Sequence, residues 1–406
     1  MARATLDIRP RVLQTPETVR YEFDLDYSGG SRTETLFYEF PCELAPTPPD
    51  NFDGILCATV LHAMAEGRDV HLHGSATSTM LLNLAEFQLA WSRWLPTVYR
   101  PVAIEVDSVI HNPHQGTSRA ISAFSGGVDS SFTLLRNSIR SGNPGYPVDT
   151  VLLVHGFDVS LSNWGDLQEL IERTGPIREL TGVQLRIVRT NSKELRLQKW
   201  ADSFAAELAA CMHLYSAEFS LALVGSSEPY DALVLPWGSN PVTDHLLSGG
   251  RLRIVHDGAA FSRTDKVAYV SGFPAARQSL KVCWEGKQQG RNCGTCEKCV
   301  RTQLNFRAVG VMNPPCFEAP LELRRITDIQ IRSGASLAEL RSIVDYAERR
   351  NIDEDWVRLL RKRVRRGPRN WTMRDKLRVV LERAGLLQTV RSLRRVLAPR
   401  PLRGDR

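Results

Sequence analysis

The sequence predicts an α/β protein whose central domain is a parallel sheet, preceded by an α+β domain and followed by a helical, basic region. Three observations lead to this prediction. Strand-like and helical segments alternate through the middle of the chain, an order typical of parallel strands joined by right-handed crossovers. A glycine turn follows the first of these strands, and four clustered cysteines lie near the end of the same region.

The chain is long enough for more than one domain. Its 406 residues exceed the usual size of a single domain, and 42% hydrophobic with 24% charged residues is ordinary for a globular protein. We predict an N-terminal α+β accessory domain over 1–117, a parallel-sheet domain over 118–315 and a helical, basic C-terminal region over 316–406. Residues 111–118 have the composition of a linker, which marks the first boundary.

Targeting signals are missing from the sequence. No apolar run approaches the length needed to span a bilayer, and the first residues lack the apolar core of a signal peptide. We therefore expect a cytoplasmic protein in a reducing environment, where disulfides are disfavoured.

Positive charge is concentrated at the C-terminal end. The whole chain carries a net charge of +7, but residues 356–406 hold 17 Lys or Arg and 3 Asp or Glu, a net of +14, which leaves −7 for the rest. Its helical pieces at 376–383 and 390–397 are amphipathic and rich in arginine. Such a tail could bind RNA, an anionic membrane surface or an acidic partner, or it could dock on the acidic body.

The N-terminal 115 or so residues combine alternating and helical patterns. His71 and His73 fall on one face of a predicted strand, which hints at a metal site. We expect no carboxylate or cysteine beside them, so a surface or interdomain pair is the favoured interpretation. The predicted elements are strands at 19–25, 35–40 and 70–73 and helices at 52–65 and 80–94.

In the central domain the carboxyl ends of the strands are the expected ligand-binding positions, because parallel α/β sheets bind ligands there. The segments that follow these ends are therefore the first candidates for a site. The predicted elements are strands at 120–124, 150–154, 184–189 and 221–225 and helices from 130, through 167–171 and over 197–215.

The first of these strand ends is a Ser-Gly-Gly-Val-Asp-Ser turn. Its two glycines can take positive φ angles and let a ligand approach the main chain. Consecutive amides and the start of the next helix then form a nest for an anion. The turn predicts a phosphate site, while a simple helix cap by its Asp or Ser is the structural alternative. Its residues are Ser125, Gly126, Gly127, Val128, Asp129 and Ser130.

The cysteine cluster predicts a metal site. Gaps of nine, two and two residues let four thiolates surround one ion, which is typical of structural zinc; an iron–sulfur cluster is the alternative. The predicted ligands are Cys283, Cys293, Cys296 and Cys299. The remaining cysteines are interpreted as free residues of the core; they are Cys42, Cys57, Cys211 and Cys316.

The Ser-Gly-Gly-Val-Asp-Ser string resembles the pyrophosphate loop of the N-type ATP pyrophosphatases (the PP-loop superfamily), which includes asparagine and GMP synthetases and tRNA thiolases. The resemblance implies an adenine nucleotide alpha hydrolase-like (HUP-type) core. It also implies an enzyme that splits ATP into AMP and pyrophosphate while adenylating a carbonyl oxygen. Residues 125–130 would hold the pyrophosphate end of ATP, with Asp129 near a magnesium ion.

The cysteine motif is similar to that of the 7-cyano-7-deazaguanine synthase branch, in which an arginine follows; Arg301 falls close to that position. Residues 261–267 are similar to the Leu-Thr-Lys segment of the branch, which makes Lys266 a candidate contact to an ATP phosphate. A solvent-facing lysine at a helix start is the alternative. Residues 236–244 depart from the tyrosine- and aspartate-rich substrate signature of the branch, so the substrate is not assigned.

Three further strand-end segments supply candidate binding residues. Phe157 and Asp158 follow the second strand, where the superfamily commonly contacts adenosine, and Gly225 follows the fourth, where a small residue lets a nucleotide lie against the backbone. The third segment combines an aromatic ring with an amide and a carboxylate, which suits a polar organic substrate. Its candidates are Trp237, Asn240 and Asp244. Loops whose polar groups satisfy the local backbone are the alternative for all three.

Together these features favour an ATP-dependent ligase with Asp129 and Lys266 as catalytic residues and ATP, Mg²⁺ and Zn²⁺ as cofactors. It would adenylate a carboxylate or amide oxygen of a small molecule, and ammonia or another nitrogen donor would displace AMP to give an amide or a nitrile. One alternative is an RNA-modifying enzyme such as a tRNA thiolase, with the basic tail on the RNA. The other is a non-catalytic module that binds nucleotide and zinc.

Overall fold

The computed structural model describes residues 4–30, 32–111, 118–138, 145–283, 285–286, 288–331 and 334–367. Within these ranges the protein has the predicted α/β architecture, built on a sheet of ten strands. The strands are β1 (Thr5–Gln14), β2 (Thr18–Tyr27), β3 (Thr33–Pro41), β4 (Asp69–Thr77), β5 (Ile104–Ile110), β6 (Ala120–Ala123), β7 (Val148–His155), β8 (Gln184–Thr190), β9 (Leu221–Gly225) and β10 (Arg253–Asp257).

Helices cover the sheet and form the C-terminal part of the described chain. They are α1 (Asp53–Glu66), α2 (Ser78–Trp94), α3 (Val128–Asn137), α4 (Trp164–Arg173), α5 (Gly175–Thr181), α6 (Ser192–Leu195), α7 (Trp200–His213), α8 (Arg263–Ser271), α9 (Pro274–Ser279), α10 (Glu297–Ala308), α11 (Leu323–Asp328), α12 (Gly334–Arg349) and α13 (Asp355–Arg366).

The sheet is mostly parallel and has the order β10-β9-β6-β7-β8-β3-β2-β1-β4-β5. The predicted alternation is confirmed, because β10, β9, β6, β7 and β8 are all parallel neighbours. From β6 the chain moves outward through β7 and β8, and it then returns to place β9 on the other side of β6. The position between the carboxyl ends of β6 and β9, where the direction reverses, is the usual ligand position in such sheets and is called the crevice here.

The N-terminal strands continue the same sheet, because β3 pairs antiparallel with β8. They also share its core: the ring of Phe40 lies 5.7 Å from that of Tyr215, edge to face, just after α7. The domain boundaries at 117 and 315 stay predictions, and residues 112–117 lie outside the described chain.

Several elements differ from their predicted form. Strand β1 was not predicted, since Pro10 lies within it and proline weakens a strand pattern; β5, most of which faces solvent, was also missed. The single helix predicted over 197–215 is wrong at its start. Helix α6 ends at Leu195, Arg196 takes a left-handed φ of 51°, and α7 begins only at Trp200.

The last described helices form a small core of their own, in which Leu340 of α12 packs with Trp356 and Leu360 of α13. The amphipathic pieces predicted at 376–383 and 390–397 lie outside the described residues. Among the helices that the structure describes, none combines the length and apolar character needed to cross a bilayer.

Buried histidines should make the fold sensitive to mild acid. Burial lowers the pKa of His62, His155 and His213 in the folded protein. Below a pH of about 6.5 these histidines are therefore protonated in the unfolded chain but stay neutral in the folded one. The free energy of unfolding should be highest above that pH. It should decrease as the pH falls, by up to about 1.4 kcal/mol per pH unit for each histidine. Urea unfolding between pH 7.5 and 5.5 would measure it. His62→Gln should reduce the slope; His245→Gln, a change at an exposed residue, should leave it unchanged.

Candidate functional site

The Ser-Gly-Gly-Val-Asp-Ser turn lies directly between β6 and α3, as predicted. Gly126 has a φ of +72°, and the amide of Gly127 points to Ser125 Oγ at 3.4 Å. Ser130 Oγ donates to the carbonyl of Gly127 at 3.2 Å, which holds the turn against the first turn of α3. Residues 125–130, called here the loop, thus stand at the rim of the crevice with a ten-residue helix beginning at Val128.

Close packing around the loop explains its small residues. A Cβ on Gly126 would come within 2.9 Å of Thr174 Cγ2, and a Cβ on Gly225 within 2.9 Å of the Asp129 carbonyl oxygen. The end of β9 therefore packs directly on the start of α3. The predicted nucleotide residue Gly225 is brought beside the loop.

Two cations from α8 converge on Asp129. Arg263 Nη1 lies 2.6 Å from one carboxylate oxygen and Lys266 Nζ lies 3.3 Å from the other. Lys266 also donates to the carbonyl of Ser226, and its side chain is only 1% exposed. Burial raises the pKa of Asp129, but Arg263 and Lys266 lower it by more, so the net pKa lies below its usual value. The two predicted catalytic residues are thus in contact.

These cations occupy an unfavourable place on their helix. The side chain of Ser262 caps α8 in a capping box with Asp265, so Arg263 and Lys266 lie in the first turn. A positive charge there opposes the helix dipole, and the carboxylate of Asp129 offsets it. Arg263 was missed by the sequence prediction, although its i,i+3 spacing from Lys266 puts both on one face.

A second layer of charge comes from α10 and α12. Glu339 of α12 pairs with Arg301 and lies 3.9 Å from Arg263 Nε, and Arg301 Nε lies 3.2 Å from Glu297. Lys298, half-buried on α10, interacts electrostatically with Asp158 and Asp129. Helix α12 belongs to the predicted C-terminal region, yet it supplies a carboxylate that holds the cations of the site.

Lys281 is a further cation against the loop. Its amide donates to the Gly126 carbonyl at 2.8 Å, and its side chain is 3% exposed. Across the described residues no acceptor is found for its ammonium group. A positive charge beside a glycine loop favours the approach of an anionic ligand. Sequence reasoning missed it, because nothing local sets this lysine apart.

The four clustered cysteines come together as predicted. Their sulfurs all lie within 4.8 Å of one another, with 3.8 Å between Cys283 and Cys296 and 3.9 Å between Cys293 and Cys299. Sulfurs about 2.3 Å from one tetrahedral ion would be about 3.8 Å apart. The group could therefore hold a single metal ion such as zinc. The chain's eight cysteines are free of disulfides.

Local hydrogen bonds prepare the cysteine group for a ligand role. The amide of Cys296 points to Cys293 Sγ at 3.3 Å and that of Gly286 to Cys283 Sγ at 3.2 Å, the donors that a thiolate needs. The Asn292 side chain accepts from the amide of Cys283 at 3.1 Å and donates to the Cys316 carbonyl at 2.9 Å. Hydrogen bonds from neighbouring thiols lower the pKa of Cys283.

The metal group and the loop are connected through short stretches of chain. Cys283 comes two residues after Lys281, and Cys296 and Cys299 flank Lys298 at the start of α10. The cysteine group therefore fixes the positions of the backbone at Lys281 and Lys298. This link was not predicted.

The segment after β7, the second of the predicted strand ends, packs closely against the end of β8. Gly156 has a φ of +114°, and a Cβ there would lie 2.0 Å from the Thr190 carbonyl oxygen. Phe157 packs edge to face on Trp200 at 4.8 Å, while Asp158 is exposed. Contacts of Phe157 and Asp158 with adenosine stay predictions. Asp158 interacts electrostatically with Lys298.

The predicted substrate residues are largely engaged with one another. Asp244, 1% exposed, accepts from Ser239 Oγ at 2.7 Å, from the amide of Asn240 at 2.9 Å and lies 2.7 Å from His256 Nδ1. The Asn240 side chain donates to the carbonyl of Trp237 at 2.8 Å. Of the three, Trp237 alone keeps a partly exposed side chain. A substrate role stays a prediction for all of them, and the geometry suits it best at Trp237.

Adding one methyl group at Gly225 should disturb the loop. Its Cβ would press on the backbone of Asp129, so Gly225→Ala should cost about 1–3 kcal/mol in the free energy of unfolding. Gly165→Ala is the matched control, because a Cβ on that helical glycine meets nothing within 4 Å. Urea denaturation of both variants gives the result; equal stabilities would show that β9 can move away from α3.

Comparisons with known proteins add no further constraint: no family model, curated protein or solved structure matches the chain. A function for this site has to be argued from its residues and their geometry.

Proposed function

We propose that the protein is an ATP-dependent ligase of the PP-loop type with a HUP-type core, similar to 7-cyano-7-deazaguanine synthase. It would transfer AMP from ATP to a carboxylate or amide oxygen of a small molecule and release pyrophosphate. From an adenylated carboxylate, a nitrogen donor such as ammonia would then displace AMP to form an amide. From an adenylated amide, loss of AMP and of the N–H proton would leave a nitrile. The observation that carries this proposal is the glycine loop at the crevice, faced by the buried cations of α8.

The residues divide the work by position. Amides of the loop would bind the phosphate oxygens that leave as pyrophosphate, and Arg263 and Lys266 would balance the charge that develops there. Lys281 and Lys298 supply further positive charge beside the loop. Chemistry of this kind depends on positioning and charge neutralisation more than on a protein nucleophile.

Magnesium would be held by Asp129 together with ATP oxygens. Carboxylate oxygens suit this hard cation. The bound magnesium ion would neutralise part of the negative charge of the ATP phosphates. Both oxygens of Asp129 already meet a cation, so the carboxylate fits the ion only if Arg263 or Lys266 turns toward the phosphates when ATP binds.

Zinc is the metal proposed for the four cysteines. Sulfurs 3.8–3.9 Å apart fit one ion, whereas an iron–sulfur cluster places several irons between its thiolates and needs them farther apart. Four protein ligands leave no open position, so the metal would organise the fold.

Product analysis tests the proposal. The chain is incubated with ATP, Mg²⁺, ammonia and candidate carboxylates labelled with oxygen-18. We expect pyrophosphate and AMP that carries one labelled oxygen, because adenylation moves a carboxylate oxygen onto the phosphate. Formation of ADP, or AMP without the label, would contradict it.

RNA modification is the second candidate, favoured by the basic surface of α13. Arg361, Lys362, Arg365 and Arg366 line one cavity there, and the basic tail beyond it lies outside the described residues. Sulfur transfer of the thiolase kind needs a reactive thiol, whereas burial raises the pKa of Cys57 and Cys211 and raises that of Cys316 to about 12. Nitrogen chemistry on a small molecule is therefore preferred.

A further inference from the structure

Two histidines and two aspartates meet on the strands next to the β5 edge of the sheet. Asp7 lies on β1, His71 and His73 on β4 and Asp107 on β5, three strands that are neighbours in the order β1-β4-β5. The histidines were interpreted from the sequence as a surface pair without a carboxylate. That part of the prediction is wrong, because the carboxylates come from the adjacent strands.

The distances are those of a metal site. Asp7 Oδ1 lies 3.1 Å from His73 Nε2 and 3.6 Å from His71 Nδ1. Ligand atoms about 2.0–2.1 Å from a tetrahedral zinc ion are about 3.3 Å apart. One ligand atom from each of the three residues lies within 4.8 Å of the others. The pair of rings is also close, with centroids 4.2 Å apart.

The remaining polar atoms hold these ligands in place. His71 Nε2 lies 3.1 Å from Asp107 Oδ1, so Nε2–H can donate a hydrogen bond to Asp107, which leaves Nδ1 unprotonated and able to bind a metal. Thr5 Oγ1 donates to the second oxygen of Asp7 at 3.0 Å. Carboxylates and hydroxyls that orient ligands in this way are usual around zinc-bound histidine.

Hydrogen bonding alone accounts for only part of the geometry. It explains the contacts of His71 with Asp107 and of His73 with Asp7, each at 3.1 Å. It leaves His71 Nδ1 facing Asp7 at 3.6 Å, too far for a hydrogen bond. An ion bound between Asp7 Oδ1, His71 Nδ1 and His73 Nε2 accounts for both the closeness of these atoms and the 3.6 Å distance between His71 Nδ1 and Asp7 Oδ1.

We propose that Asp7, His71 and His73 bind a divalent transition-metal ion, with zinc the first choice and Asp107 as the residue that positions His71. Two imidazole nitrogens and one carboxylate oxygen suit zinc, cobalt, nickel or copper better than magnesium or calcium, which prefer all-oxygen sites. The three side chains are 25–36% exposed, so water can complete the coordination. In contrast to the cysteine group, which supplies four ligands, this site leaves one tetrahedral position for water.

Metal counting on the full chain tests the site. Wild-type protein and the double variant His71→Ala/His73→Ala are saturated with zinc, desalted and analysed by mass spectrometry of the elements. The double variant should carry one zinc fewer per chain than wild type. His245→Gln removes an exposed imidazole elsewhere and should lose none. Circular dichroism checks that each variant is folded.

Cobalt(II) separates the two groups of ligands. Thiolate ligands give intense charge-transfer absorption, whereas histidine and carboxylate ligands give only weak visible bands. The double variant should therefore lose the weak bands and keep any charge-transfer absorption, and Asp107→Asn should weaken cobalt binding by about 10- to 100-fold. Equal zinc content in wild type and double variant, or identical weak bands, would overturn the proposal.

Discussion

Lys266→Met should lower kcat/KM for pyrophosphate release from ATP by about 10²- to 10³-fold, the usual effect of removing one charge-stabilising group. The lysine is 1% exposed and joins Asp129 of the loop to the carbonyl of Ser226 at the end of β9. Methionine keeps most of the volume and removes the charge. The loss should fall mainly on kcat, because the charge to be stabilised grows as the pyrophosphate departs.

Lys199→Met is the control for this change, since its side chain is 75% exposed and lies outside the crevice. It should release pyrophosphate at the wild-type rate. Thermal unfolding without ATP shows whether a loss of activity in Lys266→Met comes from unfolding. A folded Lys266→Met protein that is as active as wild type would remove Lys266 from the phosphate site and return it to a structural role.

Cys299→Ser should remove about one zinc per chain and cost more than about 4 kcal/mol of stability, as the loss of a structural metal does. Cys299 is fully buried in the first turn of α10. When that turn loosens, the side chain of the neighbouring Lys298 should no longer be held beside Asp129. Activity should therefore fall together with the metal content.

The matched control is Cys316→Ala, which changes a buried cysteine of the same core cluster that is not one of the four. It should keep its zinc and lose about 1–2 kcal/mol, the cost of a small cavity. Elemental analysis and urea unfolding of both variants decide the matter. The same metal content in Cys299→Ser as in Cys316→Ala would show that the four sulfurs do not form the metal site.

Features encoded over short stretches of sequence were predictable. The turn over 125–130 and the four cysteines follow from residue types at fixed spacing, and the strands on either side follow from runs of apolar residues. Because glycine conformation and thiolate geometry act locally, the order of residues was enough. The ends of elements were less certain: α7 starts late since Arg196 interrupts the pattern.

Contacts between distant parts of the chain were not predictable. Arg263 meets Asp129 across 134 positions, and Glu339 reaches the same cations from a helix that looked like part of a separate region. Asp7 lies 66 positions from His73, so the sequence around the histidines gave no sign of Asp7. Such pairs depend on strand order and helix packing, which no single pattern along the chain contains.

The continuity of the sheet has a consequence for how the protein can be divided. Residues Tyr38 and Glu39 of β3 pair with Thr190 and Arg189 of β8, so a chain cut just before β6 would leave the end of β8 unpaired and would uncover the apolar core that the two parts share. Unpaired edges of this kind invite strands from other molecules. A shortened protein would therefore tend to aggregate, and the part that carries the loop depends on its N-terminal neighbour to cover the end of β8.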